Sequence, residues 1–176
     1  MTILDLHLLG SPVLREESTP VKTVDDETRR FIADLFETMY AAKGVGLAAN
    51  QVGVARRVAV IDADGLKLVL VNPTIVSAAG KEIAEEGCLS IPDIYAEVTR
   101  PDQVVLEALD ADGKPYRVEL EGLAARAVQH EIDHLDGILF LDRVEDKSTI
   151  RQLPDDEEED EAHAEDESGA RAELLA

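Results

Sequence analysis

The sequence predicts an α+β fold with mainly antiparallel sheet. Three observations lead there. Two segments have apolar residues at helical spacing, several short β-branched segments are joined by Asp-Gly turns, and strands and helices do not alternate in the βαβ order of a parallel sheet. The 176 residues suit one domain, large enough to bury a core without disulfides.

The first helix is expected over Asp26 to Lys43, after Thr23. Phe31, Ile32, Leu35, Phe36, Met39 and Tyr40 form its apolar stripe, and Asp25, Asp26 and Glu27 stand where the helix dipole favours acids. A glycine-containing connection, GVGLAANQVG (Gly44 to Gly53), follows. Arg57 to Ile61 and Leu66 to Val71 read as strands joined by DADG, and Gln103 to Leu109 and Pro115 to Leu120 as strands joined by a second DADG in the same way. The second helix is expected from about Leu123 to Leu135, with Leu123, Ala127, Val128, Ile132 and Leu135 on its apolar side and Gly137 placed to end it.

Charge divides the chain. The formal net charge is -21, and residues 154 to 176 hold eleven acids against Arg171, so this stretch carries -10 and the rest -11. Such a balance argues against binding a phosphate backbone, which draws its affinity from clustered Lys and Arg. Residues 1–150 are therefore expected to be the folded domain and 151–176 an acidic, solvated extension. The start lacks the features of a secretory or transit signal, no stretch has the length of a membrane span, and a lone cysteine suits a reducing compartment, so the expectation is a cytoplasmic protein.

The chemistry concentrates in QHEIDHLDG, Gln129 to Gly137. On a helix His130 and His134 project from one face and can hold a single metal ion, with Glu131 beside them. The bland alternative is a helix that merely contains two histidines and a glutamate. A catalytic site of this type needs three protein ligands and one open position. Downstream, Asp136, Asp142, Glu145, Asp146 and His163 are weak candidates; Cys88, the only cysteine, is the better third ligand because a thiolate binds iron or zinc strongly. Against this stands the usual fate of an unpaired cysteine, a small buried hydrophobe. Glu85 and Glu86 would disfavour a free thiolate unless a cation offset them. The Gly44–Gly53 stretch contains G-x-G-x-x-A, but a helix precedes it, so it fails as a dinucleotide fingerprint; its glycines fit a tight path past a ligand, with the Gln51 amide at its end.

Together GVGLAANQVG, EGCLSIP and QHEIDHLDG resemble, in order and spacing, the three motifs of the peptide deformylase family, and the resemblance extends over most of residues 1 to 150. It implies an α+β domain with antiparallel sheets packed around a central HExxH-bearing helix, and hydrolytic removal of the formyl group from the formyl-methionine of newly synthesised proteins. The metal it implies is first Fe(II), with Zn(II), Ni(II) or Co(II) as alternatives. Carried over, the resemblance implies Cys88, His130 and His134 as ligands and Glu131 as acid/base. It implies Gln51 and the Leu89 N–H as donors to the formyl oxygen, and Gly46 as part of the close loop around the substrate. Val45, Leu123 and Ala127 would line the methionine pocket, and Tyr95 would flank the peptide. Formyl-methionyl nascent chains are the implied partners. Ribosome docking through the C-terminus uses a basic helix in the family, so this acidic end is not expected to serve it, and neither nucleic acid nor membrane is expected to bind directly. An HExxH zinc peptidase and a non-catalytic relative are the rival readings.

Overall fold

The computed structural model describes residues 2–154 and Leu175, and its two helices and eight strands follow largely from local sequence. Helix α1 spans Asp26–Ala41 and is capped by Asp25, whose carboxylate accepts the Thr28 N–H at 2.8 Å. It ends two residues before Lys43, which adopts φ +58°, outside helical space.

Strands β1 (Gly46–Ala48), β2 (Val58–Ala63) and β3 (Leu66–Ala79) open a five-stranded antiparallel sheet. The sheet is completed by β6 (Gln103–Leu109) and β7 (Pro115–Glu121), in the order β1-β2-β3-β6-β7. Between β2 and β3, Asp64 and Gly65 both have positive φ (54° and 74°), the requirement of a two-residue type I′ turn. The second DADG works differently. Only Gly113 is left-handed there, and the Asp110 carboxylate accepts the N–H groups of Asp112 and Lys114, so a longer Asx-type loop joins β6 to β7.

Strands β4 (Glu82–Cys88), β5 (Ile91–Arg100) and β8 (Arg151–Gln152) form a second antiparallel sheet, ordered β4-β5-β8. Packing thus runs past residue 150: β8 pairs with Ile94 and Tyr95, and Leu153 donates its N–H to the Asp93 carbonyl. The expected solvated extension otherwise lies outside the described residues. Leu175 alone of its far end is described, and it is buried in the main apolar cluster.

Helix α2, Gly122–Leu135, lies against both sheets. Its small residues Ala124, Ala125, Ala127 and Val128 join Ala59, Ile61, Leu70, Leu106 and Leu120 from one face of the five-stranded sheet. The opposite face of that sheet, with Val58, Val60 and Val71, buries Leu35, Phe36 and Met39 of α1. Period-2 alternation along β2 therefore supplies two cores at once. Helix α2 closes on a Schellman pair: Gly137 N–H to His134 O at 3.0 Å and Ile138 N–H to Asp133 O at 2.8 Å, with Gly137 at φ +74°.

Candidate active site and metal centre

His130 and His134 stand one turn apart on α2 and are 1% exposed, so both imidazoles face inward from the same side. Their Nε2 atoms are 3.2 Å apart, and His134 Nε2 is 3.3 Å from the Sγ of Cys88, which closes β4. The three donor atoms all lie within 4.8 Å of one another. Three lone-pair donors converging in a buried space fit a soft or borderline divalent cation. Burial pushes the Cys88 thiol strongly up, and the charges of Glu131 and Glu86 add to this, whereas the N–H groups of Ser90 and Ile91 oppose it. A bound cation is what such a thiol needs in order to act as a thiolate. The rejected ligand candidates are engaged elsewhere: Asp136 pairs with Arg57 at 2.7 Å, Asp142 with Arg15, and Asp146 caps a short 3-10 turn. His163 lies outside the described residues.

A carboxylate network stands behind the ligands. Glu86, fully buried, accepts from His130 Nδ1 at 3.0 Å, from Arg100 Nε and Nη2 at 2.5 and 3.0 Å, and from Arg126 Nη1 at 2.8 Å. Arg100 reaches on to Asp133 at 2.9 Å, and Arg143 closes the chain at the surface. A hydrogen on Nδ1 leaves the His130 Nε2 lone pair free for a metal, so Glu86 sets the tautomer that ligation requires. Desolvation pushes the Glu86 carboxyl upward, but its bonds to His130 and Arg100 prevail and hold it well below the usual range. Glu85, its neighbour in sequence, points the other way and pairs with Arg151.

Glu131 is fully buried, and neither carboxylate oxygen has a hydrogen-bond partner among the described residues. Burial first, then the charge of Glu86, raises its carboxyl well above the ordinary value. A buried carboxyl that the protein leaves without a donor is poised to exchange protons with something that enters the site. Gly46 in β1 lies directly against it, and a Cβ there would collide with the Glu131 carboxylate.

Gln51 sits in the 3-10 turn Ala49–Val52 after β1, fully buried, with Nε2 3.7 Å from Cys88 Sγ. Asn50 beside it donates to the His134 carbonyl, tying this turn to the end of α2. Leu89 follows Cys88 in the tight connection between β4 and β5, its side chain against Gly44. Val45 and Leu123 are half-buried and pack on the cluster that contains Ala127, so these three share one apolar region. Tyr95 stands apart from them. Its ring lies on Gly87 and beneath the Arg151 guanidinium, and at 7% exposure it offers a peptide almost no surface. The glycine beside Cys88 thus admits an aromatic ring. Arg100, Arg126, Asp133 and Ser90 were not singled out in the sequence, and Glu86 only as a charge opposed to a free thiolate. The only available signal was a second glutamate in a segment otherwise turning apolar.

Two histidines and a cysteine with converging donor atoms, a buried carboxyl beside them and antiparallel sheets packed on the helix define the class of a metallohydrolase. The pattern of the polypeptide deformylase family matches residues 3–149. The peptide deformylase of Thermomicrobium roseum is 50% identical over 168 residues, covering 90% of this chain and 96% of its own, and that of Rhizobium meliloti is 51% identical over 150 residues, covering 82% and 86%. Among solved structures, a Synechococcus elongatus peptide deformylase in complex with actinonin superposes with a TM-score of 0.80 at 48% identity, covering 83% of this chain and 81% of that one. The Thermotoga maritima peptide deformylase gives 0.81 at 39% identity, covering 83% of this chain and all of its own. The chain belongs to the polypeptide deformylase family, metal-dependent enzymes that remove the N-terminal formyl group from nascent proteins.

Proposed function

We propose that Cys88, His130 and His134 hold the catalytic metal and that Glu131 shuttles the proton. The observation that carries this is a buried Glu131 carboxyl without a donor among the described residues, beside three converging ligand atoms. When bound, a divalent cation supplies Lewis acidity to water and to the formyl oxygen, and its charge draws Glu131 toward the ionised form. Glu131 takes a proton from water, and the hydroxide adds to the formyl carbon. The oxyanion that develops accepts hydrogen bonds from Gln51 Nε2 and the Leu89 N–H. Glu131 then delivers its proton to the departing nitrogen, releasing formate and a free amine. Two nitrogens and one thiolate suit Fe(II) and Zn(II) alike, and the family resemblance puts Fe(II) first, with Zn(II), Ni(II) or Co(II) able to occupy the same donors.

Val45, Leu123 and Ala127 supply the wall of the methionine pocket. Strands β1 and β4 are each an outer strand of their sheet, so each keeps a rim of backbone groups with which an extended peptide can pair. Gly46 against Glu131 and Leu89 against Gly44 narrow the reacting end, which favours a formyl hydrogen over a methyl. The substrates are formyl-methionyl nascent chains in the cytoplasm. The acidic composition of residues 154 to 176 opposes contact with ribosomal RNA. Metal-loaded protein should release formate from a formyl-methionyl peptide and leave the acetylated peptide intact. Glu131→Ala should keep its metal and lose about 10² to 10⁴-fold in turnover. Full turnover in that variant would refute the role of Glu131, and no turnover in the metal-loaded parent would leave a binding protein on this fold.

A further inference from the structure

We propose that Ser90 is a positioning residue, whose hydroxyl aims the Gln51 amide at the oxygen of the reacting carbonyl. The inference rests on the reading of Gln51 as an oxyanion donor. Gln51 and Ser90 are both fully buried, so neither side chain can be oriented by solvent. The Gln51 Oε1 accepts the Ala48 N–H at 2.9 Å, which fixes which end of the amide faces the metal ligands. At the other end Nε2 donates to Ser90 Oγ at 3.1 Å. An amide nitrogen has two hydrogens in a rigid plane, so once one is committed to Ser90 the direction of the second is set, and it lies toward the metal-ligand side, with Cys88 Sγ 3.7 Å from Nε2.

The backbone holds the pair in register. The Gln51 carbonyl accepts the His7 N–H at 2.7 Å, and the Ser90 carbonyl accepts the Leu9 N–H at 2.8 Å, so one short segment spans both. The Ser90 N–H is also one of the two amides directed at Cys88 Sγ. The backbone of Ser90 therefore serves the metal ligand, and its hydroxyl serves the donor to the substrate. Removing the hydroxyl separates these roles, because alanine keeps the amide.

The test compares Ser90→Ala, Gln51→Ala and the double variant with the parent protein, all metal-loaded. The readouts are kcat and KM on a formyl-methionyl peptide, bound metal and melting temperature. Loss of one oxyanion donor costs about 10² to 10³-fold, and a misaimed donor part of that, so Ser90→Ala is expected to lower kcat roughly tenfold with KM, metal content and melting held. In the Gln51→Ala background the same change should cost less than about twofold, because the group it aims is gone. An equal loss in both backgrounds would overturn the proposal, as would full kcat in Ser90→Ala. Parent-like kcat in Gln51→Ala would instead remove the oxyanion reading beneath it. Ser90→Thr, which keeps the hydroxyl, is expected to restore most of kcat; failure to do so in a folded, metal-replete variant would count against the role.

Discussion

Replacing Glu86 by glutamine tests the buried network with the smallest change in shape. Glu86 faces donors on both oxygens: Arg100 Nε and Arg126 Nη1 on one, Arg100 Nη2 and His130 Nδ1 on the other. A glutamine must turn its NH2 toward one of these pairs. Toward the arginines it opposes hydrogen to hydrogen. Toward His130 it invites the other tautomer, with the proton on Nε2, where a metal would bind. Two arginines also lose part of their countercharge in a site only 5% exposed. Removing one partner of a buried ion pair costs about 3–5 kcal/mol, which for a chain of this size lowers the melting temperature by on the order of 10 °C. Loss of the carboxylate behind a ligating histidine weakens metal binding by about 10 to 100-fold. Melting of the chelator-treated protein reads the first quantity, and competition with a chromophoric chelator reads the second. Because the folded Glu86 carboxyl sits below its unfolded value, its stabilisation is complete above the ordinary carboxylate range and is lost as pH falls through the folded value. Glu86→Gln should therefore also flatten the acid limb of the stability profile. Unchanged melting and unchanged metal affinity together would refute the reasoning.

Two further outcomes follow from the same geometry. Gly46→Ala forces the Glu131 carboxylate aside and should lower kcat by about 10²-fold with bound metal retained; a parent-like rate would show that Glu131 works from another position. The three tyrosines should resist alkaline titration. Burial, then the bond to Asp62, pushes Tyr40 from 10.0 to about 12, and Tyr116, half-buried with its hydroxyl donating to the Val69 carbonyl, titrates later still. Ultraviolet absorbance should show no phenolate step near pH 10. Asp62→Asn should draw the Tyr40 step downward. With the folded value above 10.0, the stability these groups confer is lost as pH climbs past the unfolded value toward the folded one.

The parts of the fold legible in the sequence were those whose pattern is local. The stripe of α1, the alanine-rich face of α2 and the Asp64-Gly65 turn each declare themselves within one element. Strands β4 and β5 do not. Glu82, Glu85 and Glu86 break the apolar alternation of β4, and Glu86 becomes an interior residue only because Arg100 and Arg126 arrive from 14 and 40 positions away. The candidate site divides along the same line. His130, Glu131 and His134 are set by helical periodicity, and Cys88 by being the single thiol. Ser90 and Glu86 take their meaning from partners that a linear reading cannot pair. The surroundings of Tyr95 were hidden for the same reason, since Gly87 and Arg151 enclose its ring from neighbouring strands.

Cys88 and His134 are 46 residues apart and belong to different elements, one ending a strand and one on a helix. No stretch of an unfolded chain gathers these donors, so a metal ion recognises only the finished fold. At a free concentration about a thousand times its dissociation constant, such a ligand adds about 4 kcal/mol to the folded state. For a protein of ordinary marginal stability that is a large share of the whole. The supply of metal in the cell would then govern how long each molecule survives unfolding and proteolysis, as well as how fast it turns over. Scarcity would thin the enzyme population as well as idle it.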